Sequence, residues 1–172
     1  MAKLSPCIRD IDFDISADYI MKDLFRWAHE TYEKNSIPFG DQVIIAKDGT
    51  RVRSKSECII YNMLLDAVIP FRYDPVLRFT FINEKGEKIS VAKAPDFQII
   101  CPDRSFILIE HAGMLKKEQY SFDLAKKIQI YLTNGYILGY SLFVTGDGIT
   151  GGIDSAEIDK MIKSISARFP FI

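Results

Sequence analysis

Residues 94–113 read APDFQIICPDRSFILIEHAG, and this stretch decides the fold. Two short apolar runs, DFQII and FILIEH, flank the turn-like segment CPDRS, a pattern that predicts a β-hairpin with a short loop. If the two strands pair symmetrically about Asp103, then Asp96 lies directly opposite Glu110. Directly opposed residues have Cβ atoms roughly 5 Å apart, and like charges there are destabilising. A cation held between the two acids would relieve this repulsion, so the hairpin indicates a metal site.

The predicted register also assigns side chains to the two faces of the hairpin. It places Gln98 opposite Leu108. Because successive side chains of a strand point to opposite faces, Glu110 shares a face with Leu108 and Ala112. His111 points to the other face. The acids can therefore point the same way at one end of the sheet.

The composition is that of an ordinary globular protein. The chain has 172 residues, of which 48% are hydrophobic and 26% are charged, so we expect a single domain with a substantial core. The formal net charge is −1, which excludes a protein whose overall field draws it to nucleic acid or to an acidic membrane. Any nucleic-acid binding must use local basic patches.

The cysteines and the N-terminus indicate a cellular location. Cys7, Cys58 and Cys101 form no C-x-x-C pair, so neither a zinc knuckle nor a dithiol redox motif is predicted. This sparse, odd count suits a reducing compartment. The first residues, MAKLSPCIRDIDFD, lack the apolar core of a signal peptide, and no apolar stretch is long enough to span a bilayer. We therefore expect a cytoplasmic protein with no membrane partner.

Hydrophobic periodicity and turn residues predict an alternation of helices and strands. The predicted helices cover residues 16–35 with Ser16 as N-cap, 54–68, 116–133 closed by an Asn-Gly pair, and a last helix from 153–155 to about 168. The predicted strands lie within 43–50, with its turn, and at 73–83, 89–91, 96–100, 106–111 and 136–146, the last of them buried.

The predicted order of the core is helix, three strands, helix, strand, one strand fewer than the four strand segments predicted between the two helices. This order predicts an α/β fold with an αβββαβ core, a mixed sheet flanked by helices on both faces, and a last strand roughly parallel to its neighbour. Within the single domain we expect an N-terminal helical extension at 1–50, the core at 51–145 and a C-terminal helix at 146–172.

A third acid, Glu57, stands at the start of the second predicted helix. Three carboxylates with backbone carbonyls and waters make an oxygen-rich site that suits Mg²⁺ or Mn²⁺ rather than zinc. Each acid also has a structural alternative. Ser54 and Glu57 form the S-x-x-E pattern of a capping box. Asp96 follows a proline and could simply start a strand, and Glu110 could pair with a lysine of the third helix.

At these residues the chain resembles the PD-(D/E)XK nuclease superfamily, which has a restriction-endonuclease-like fold. Asp96, after its proline, matches the PD of the family pattern, Glu110 matches the second acid, and Glu57 matches the acid of the first core helix. RSKSE, PDF and EHAGM together resemble a subgroup whose second motif reads E-H-x-G. The αβββαβ order also matches, over roughly residues 51–145. The resemblance implies a Mg²⁺-dependent nuclease that hydrolyses phosphodiester bonds of DNA.

The resemblance also implies a role for each site residue. Asp96 and Glu110 would hold the metal. Glu57 would complete the site directly or through water. The backbone carbonyl of His111 would add an oxygen ligand.

The chain departs from the family pattern at Ala112, where a lysine is expected two residues after the second acid. His111 is a poor substitute because its side chain points to the opposite face, and a hydrogen-bonded histidine under a helix is the favoured interpretation. Lys127 is the first candidate replacement. It shares a helix face with Tyr131, four residues later, and some exonuclease-like relatives carry glutamine and tyrosine at that spacing. Lys55 is the second candidate, and a solvated surface lysine is the alternative for Lys127.

Two basic clusters are candidates for DNA contact. Arg51, Arg53 and Lys55 precede the second helix, and Lys116 and Lys117 follow the acidic hairpin. Such clusters hold phosphates by charge without reading sequence. The alternative is an ordinary solvated surface.

The leading hypothesis is a metal-dependent nuclease, with Lys127 orienting water or stabilising the charged phosphate. The alternative is a catalytically inactive nucleic-acid- or protein-binding module on the same fold, which Ala112 and the near-zero net charge favour. A carboxylate-metal enzyme acting on a small molecule ranks third, since no G-x-G-x-x-G fingerprint or P-loop occurs. A homodimer would supply two active sites for cutting two strands.

Overall fold

The structure, a computed structural model, describes residues 6–115, 117–148 and 152–170, with side chains from residue 16 onward. In these ranges the helices are α1 (Pro6–His29), α2 (Lys55–Asp66), α3 (Glu118–Thr133) and α4 (Ser155–Ser166). The strands are β1 (Ile44–Ile45), β2 (Arg51–Val52), β3 (Phe71–Tyr73), β4 (Leu77–Ile82), β5 (Lys88–Lys93), β6 (Phe97–Ile100), β7 (Phe106–Ala112) and β8 (Leu142–Gly146).

One four-stranded sheet positions the acidic hairpin, in the spatial order β3–β6–β7–β8. Strand β6 pairs antiparallel with β3 and with β7, whereas β8 pairs parallel with β7. The protein is therefore an α/β protein with a mixed sheet, as predicted, and the last strand is parallel to its neighbour. Two small antiparallel pairs, β1–β2 and β4–β5, form separate sheets.

Helices cover both faces of the four-stranded sheet. Ile107 of β7 is fully buried in a hydrophobic core together with Ile60 of α2 and Ile158 of α4. Leu108, the next residue of the strand, is fully buried in a second core with Ile130 of α3. Because adjacent side chains of a strand point to opposite faces, α2 and α4 lie on one face and α3 lies on the other. This arrangement confirms the prediction.

Strands β6 and β7 form the predicted hairpin in the predicted register. Gln98 pairs with Leu108, as symmetry about Asp103 requires. Asp96 immediately precedes β6, and Glu110 lies within β7, so the two acids stand one step beyond the last pair of the ladder. The short loop fixes this register, because a slip of one residue would exchange the side chains between the two covered faces of the sheet.

The ends of α2 and α3 follow their predicted capping signals. The Ser54 hydroxyl oxygen accepts a hydrogen bond from the Glu57 N–H at 3.1 Å, so Ser54 is the N-cap of α2. Gly135 follows α3 with a φ of 88°, and the Tyr136 N–H donates to the Tyr131 carbonyl at 3.1 Å. This is the pattern of a Schellman motif, in which glycine adopts the left-handed conformation without a steric penalty.

The first helix differs from the prediction. It begins at Pro6 and ends at His29, so the predicted range of 16–35 and the predicted N-cap at Ser16 are wrong. Proline suits a first helical turn because the N–H that it lacks has no partner there. Residues after His29 leave the helix, and the Asn35 N–H donates to the Asp74 carbonyl at 3.0 Å.

The strands between α2 and α3 also differ from the prediction. The predicted strands at 73–83 and 89–91 correspond to β4 and β5, which pair with each other rather than with the main sheet. The first strand of the main sheet is instead β3, which the sequence analysis does not predict. Five strands rather than three therefore separate the two helices. A three-residue strand is too short to show a periodicity.

The prediction of a buried strand at 136–146 holds only for its end. Strand β8 is five residues long, and of these only Leu142 is buried. The preceding residues turn, with the Leu142 N–H donating to the Ile137 carbonyl at 3.0 Å. The side chains of β8 are more exposed than those of β7 because β8 is an edge of the sheet.

The terminal regions pack onto the same core. Leu24 of α1 is fully buried there with Ile109 of β7 and Ile162 of α4. Helix α4 begins and ends within the predicted limits and has Asp154 as its N-cap. In the described part of the chain, no helix combines the length and the apolar character needed to cross a membrane.

Candidate active site

Glu110 is the most deeply buried acid of the site. It is 2% exposed and lies in β7, on the face that packs against α3. Its Oε2 accepts a hydrogen bond from Lys127 Nζ at 2.8 Å, and its Oε1 accepts one from the Tyr131 hydroxyl at 2.8 Å. A buried carboxylate is expensive unless it is paired and hydrogen-bonded, and both conditions are met here.

Helix α3 brings Lys127 to the acids, although Ala112 occupies the expected position of the lysine. Lys127 and Tyr131 are four residues apart on one helix face, as the sequence analysis noted. The Lys127 side chain is 21% exposed, so it is not a solvated surface lysine. Its ion pair with Glu110 is also the structural alternative considered for that acid. A catalytic lysine and a structural ion pair would make the same contact, so a measurement of activity is needed to distinguish them.

Asp96 is fixed by the backbone of the opposite strand. Its Oδ2 accepts a hydrogen bond from the His111 N–H at 2.6 Å. The pKa of Asp96 is raised well above its usual range, first by burial and then by the charge of Glu110, while Lys127 opposes the rise. The register therefore produces the electrostatic coupling between the two acids that the sequence predicts.

Burial also raises the pKa of Glu110, even though Lys127 and Tyr131 both stabilise its ionised form. Desolvation thus outweighs one ammonium and one hydroxyl donor. Two neighbouring carboxylates with raised pKa values form a site that favours additional positive charge, whether it arrives as a proton or as a metal ion.

Glu57 both belongs to the cap of α2 and faces the site. Its Oε1 accepts from the Ser54 hydroxyl at 2.8 Å, and its Oε2 accepts from the Tyr73 hydroxyl at 2.6 Å. Burial and the charge of Glu57 raise the pKa of Tyr73, which keeps that hydroxyl a donor. The charge of Glu57 also contributes to the raised pKa of Asp96. The structure therefore shows the capping role of Glu57, and its role as a third metal-site acid stays a prediction.

The donor chemistry fits a hard dication, but no cage of ligands is preformed. Among the described residues, no three His, Cys, Asp or Glu side chains form a group that could hold a metal ion. Mg²⁺ does not require such a cage, because it is bound through one or two carboxylates, waters and substrate phosphates. Asp96 and Glu110 would be the carboxylates of such a site. The His111 carbonyl accepts from the Tyr120 hydroxyl and the Gly113 N–H, each at 3.2 Å, and would exchange one of them to bind a metal.

The side chain of His111 lies away from the acids, as strand alternation predicts. Its Nδ1 is 3.0 Å from Thr145 Oγ1, and its Nε2 is 3.2 Å from Asp147 Oδ1. The ring is therefore a hydrogen-bonded histidine inside the protein, and it does not take the position of the missing lysine.

The candidate phosphate-binding residues differ in their surroundings. Arg53 donates to Asp74 Oδ2 at 2.7 Å and to two backbone carbonyls, so its guanidinium has a structural role that the sequence does not reveal. Arg51 is exposed and donates to the Gly40 carbonyl at 3.0 Å. Lys55 and Lys117 are exposed. Lys116 lies outside the described residues, and its predicted contact stays a prediction.

Two tyrosines that contact the site are not predicted from the sequence. Tyr120 lies seven residues before Lys127 on α3, so both are on one helix face, and this spacing could have indicated it. Burial and the charges of Asp96 and Glu110 raise the pKa of Tyr120. Tyr73 lies on β3, which is too short to show a periodicity, so nothing in the sequence indicates its contact with Glu57.

Comparison with known proteins finds similarity over part of the chain. Over 94 residues, which are 54% of this chain, the sequence is 32% identical to a protein of Methanocaldococcus jannaschii described as uncharacterized. The match spans 7% of that much longer protein. No model of a protein family matches the chain, and no solved structure matches it.

Proposed function

We propose that this protein is a metal-dependent nuclease of the PD-(D/E)XK type, which hydrolyses phosphodiester bonds of DNA with Mg²⁺ or Mn²⁺. The observation that carries the proposal is the contact of Lys127 Nζ with Glu110 at 2.8 Å, beside Asp96, which immediately precedes the opposing strand. Two acids and a lysine are the side chains that the family pattern requires. Here the lysine comes from α3 instead of from β7.

The order of elements supports the restriction-endonuclease-like part of the proposal. The main sheet and its adjoining helices follow the chain order α2, β3, β6, β7, α3, β8. With the β4–β5 hairpin regarded as an insertion, this is the helix, three strands, helix, strand order of the family core.

Each residue of the site would have a separate role in hydrolysis. Asp96 and Glu110 would hold the metal, with Glu57 acting directly or through water. A bound Mg²⁺ supplies charge neutralisation and a lowered pKa of water. Lys127 would donate a hydrogen bond to the attacking water or to a phosphate oxygen. The contact with Glu110 holds the Lys127 ammonium in the site, so this group is already in position before substrate binds.

The reaction replaces one phosphorus–oxygen bond with another. The water oxygen attacks phosphorus, the bond to the leaving sugar oxygen breaks, and that oxygen takes up a proton. Charge develops on the phosphate oxygens in the transition state, where the Lys127 ammonium would stabilise it. Exposed Lys55 and Lys117, with Arg51, are the remaining candidates for holding the DNA backbone.

The second candidate is a catalytically inactive binding module. Two observations favour it, namely Ala112 at the pattern's lysine position and the hydrogen bonds that already satisfy both oxygens of Glu110 and of Glu57. A module of this kind would retain the ion pair for stability alone. It would bind nucleic acid or protein without a need for Mg²⁺.

Cleavage of labelled single-stranded, duplex and branched DNA in Mg²⁺ and in EDTA tests the proposal. We expect wild type to cut at least one substrate with Mg²⁺, and Asp96→Ala and Lys127→Gln to lose that activity by at least about a hundredfold. Asp41→Ala, a change at an exposed acid, is the matched control and should cut like wild type. Cleavage equal in wild type and Asp96→Ala, or absent from wild type on every substrate, would overturn the proposal.

A further inference from the structure

His111 is the residue of the E-H-x-G motif to which the proposed chemistry assigns no side-chain role. Its side chain is 3% exposed and is enclosed by polar partners from other elements. Nε2 lies 3.2 Å from Asp147 Oδ1, and Nδ1 lies 3.0 Å from Thr145 Oγ1. The Ser56 hydroxyl, in the first turn of α2, donates to the same Asp147 oxygen at 3.4 Å. The imidazole thus connects the end of β7 with β8 and with Asp147, and Asp147 in turn contacts α2.

The backbone of the same residue holds the acids. The peptide unit that joins Glu110 to His111 donates its N–H to Asp96 Oδ2 at 2.6 Å. Its carbonyl oxygen, which belongs to Glu110, lies 3.5 Å from the Thr145 hydroxyl. This peptide unit is therefore the direct mechanical link between the two acids, and the imidazole anchors the residue that ends it.

The direction of the hydrogen bond between His111 and Asp147 follows from the chemistry of the carboxylate. A carboxylate only accepts, so Nε2 carries a hydrogen toward Asp147. The carboxylate in turn fixes the ring plane, as partners of buried histidines do around metal sites. The ring cannot reach Glu110 itself, because adjacent side chains of β7 point to opposite faces.

We propose that His111 is a positioning residue. Its side-chain clamp to Asp147 and Thr145 sets the peptide that holds Asp96, and thereby sets the separation of Asp96 from Glu110. The clamp explains why a histidine follows the second acid on the wrong face for catalysis. The expected effect on activity rests on the proposed nuclease function. The clamp itself can be tested by a measurement that needs no activity.

The first test needs no activity. The amide proton of His111 donates a short bond to a carboxylate, so its NMR resonance and its exchange with deuterium report the position of Asp96. In Asp147→Ala the clamp loses its anchor, and we expect the His111 amide to shift upfield and to exchange faster, with partial restoration in Asp147→Asn. Tyr61→Phe, which removes a hydroxyl bonded to Asp48 and Thr50 rather than to the clamp, should leave that amide unchanged. An unchanged His111 amide in Asp147→Ala would overturn the inference.

The second test measures Mg²⁺-dependent cleavage by the same variants. Partners that orient a metal site through another residue typically contribute 10–100-fold to activity or metal affinity. We expect Asp147→Ala to lower kcat by about tenfold with little change in KM for DNA, Asp147→Asn to recover part of it, and Tyr61→Phe to match wild type. Equal kcat in Asp147→Ala and wild type would refute the positioning role while leaving the nuclease proposal intact. A shifted amide in a protein whose wild type cuts nothing would refute the nuclease proposal and the positioning role in catalysis, and would leave the clamp as structure.

Discussion

At the scale of single residues, the two hairpin acids are held at the expense of stability. Glu110 is 2% exposed, and its pKa is raised although Lys127 and Tyr131 both donate to it. Asp96 has a raised pKa for the same reason, with the charge of Glu110 adding to the effect. A protein selected for stability alone would not keep two coupled carboxylates there, since uncharged replacements avoid the desolvation penalty.

The first prediction concerns Asp96→Asn without metal. The folded state raises the pKa of Asp96 above its unfolded value of about 4, so its stabilising contribution is complete below that pH and is lost as the pH rises through the raised pKa. Asparagine removes the charge and keeps an oxygen that accepts from the His111 N–H. We expect stabilisation by about 1 kcal/mol at pH 7, or about 2–4 °C in Tm, and a smaller gain at pH 4.5.

The matched control is Asp103→Asn. The Ser105 hydroxyl and N–H lower the pKa of Asp103, so the charge of this exposed loop residue is favourable and loses its contribution as the pH falls. Thermal melts in EDTA at several pH values should therefore show Asp103→Asn no more stable than wild type at pH 7. A Tm of Asp96→Asn below that of wild type at pH 7 would contradict the account of a strained acidic pair.

The second prediction concerns the ion pair of Lys127 with Glu110. Lys127→Met leaves a buried carboxylate with one hydroxyl donor, and we expect a loss of about 2–3 kcal/mol in urea denaturation at pH 7. Removing one partner of a fully buried ion pair costs about 3–5 kcal/mol of stability. We expect a smaller loss here because the lysine keeps some contact with water. The loss should shrink at pH 5, since protonation of Glu110 removes the unpaired charge.

Lys126→Met is the control for Lys127→Met. Lys126 is exposed, and its Nζ lies 4.3 Å from the centroid of the Phe122 ring. Because it is a surface residue, its replacement should change the free energy of unfolding by about 0.5 kcal/mol or less. Equal losses in the two variants would show that Lys127 is an ordinary surface lysine after all.

Individual residues were predictable where a regular element carried them. Asp96 and Glu110 follow from the hairpin register, and Lys127 follows from its helical spacing with Tyr131. Tyr73 and Asp147 were not predictable, because their contacts with Glu57 and His111 depend on packing between elements distant in sequence. The hydrogen bond of Arg53 with Asp74 could not be predicted for the same reason.

At the scale of elements, local signals decided the outcome. The register of the β6–β7 hairpin was predicted correctly because a short loop, symmetric about Asp103, determines which residues pair. Helix α2 was predicted with its N-cap because Ser54 precedes a long apolar pattern. Strand β3 was missed because three residues carry no pattern, and its place in the sheet comes from tertiary pairing with β6.

The third prediction concerns the end of α3, the helix that carries Lys127 and Tyr131. Gly135 has a φ of 88°, a conformation in which an L side chain clashes with its own backbone. We expect Gly135→Ala to destabilise the protein by about 1 kcal/mol in chemical denaturation. Gly40→Ala is the control, since Gly40 has no positive φ and nothing lies within 4 Å of an added Cβ. Equal effects of the two changes would contradict the assigned Schellman motif.

At the scale of the whole molecule, one sheet separates two environments. The core on one face joins α1, α2 and α4, and the core on the other joins α3 and the β4–β5 hairpin. The acids lie near the end of β7, between the helices of the two faces. Glu110 faces α3, and Glu57 belongs to the first turn of α2. The site therefore depends on the complete arrangement, which composition and net charge could not predict.

The central claim at this scale is that these acids form a metal site. Titration of Mn²⁺, with the free ion followed by electron paramagnetic resonance, measures binding directly and without a substrate. We predict that wild type binds Mn²⁺, that Mg²⁺ competes for the same site, that Asp96→Asn and Glu110→Gln each weaken binding at least tenfold, and that Asp41→Asn binds like wild type. Absence of Mn²⁺ binding by folded wild type, or equal binding by Glu110→Gln, would contradict the claim.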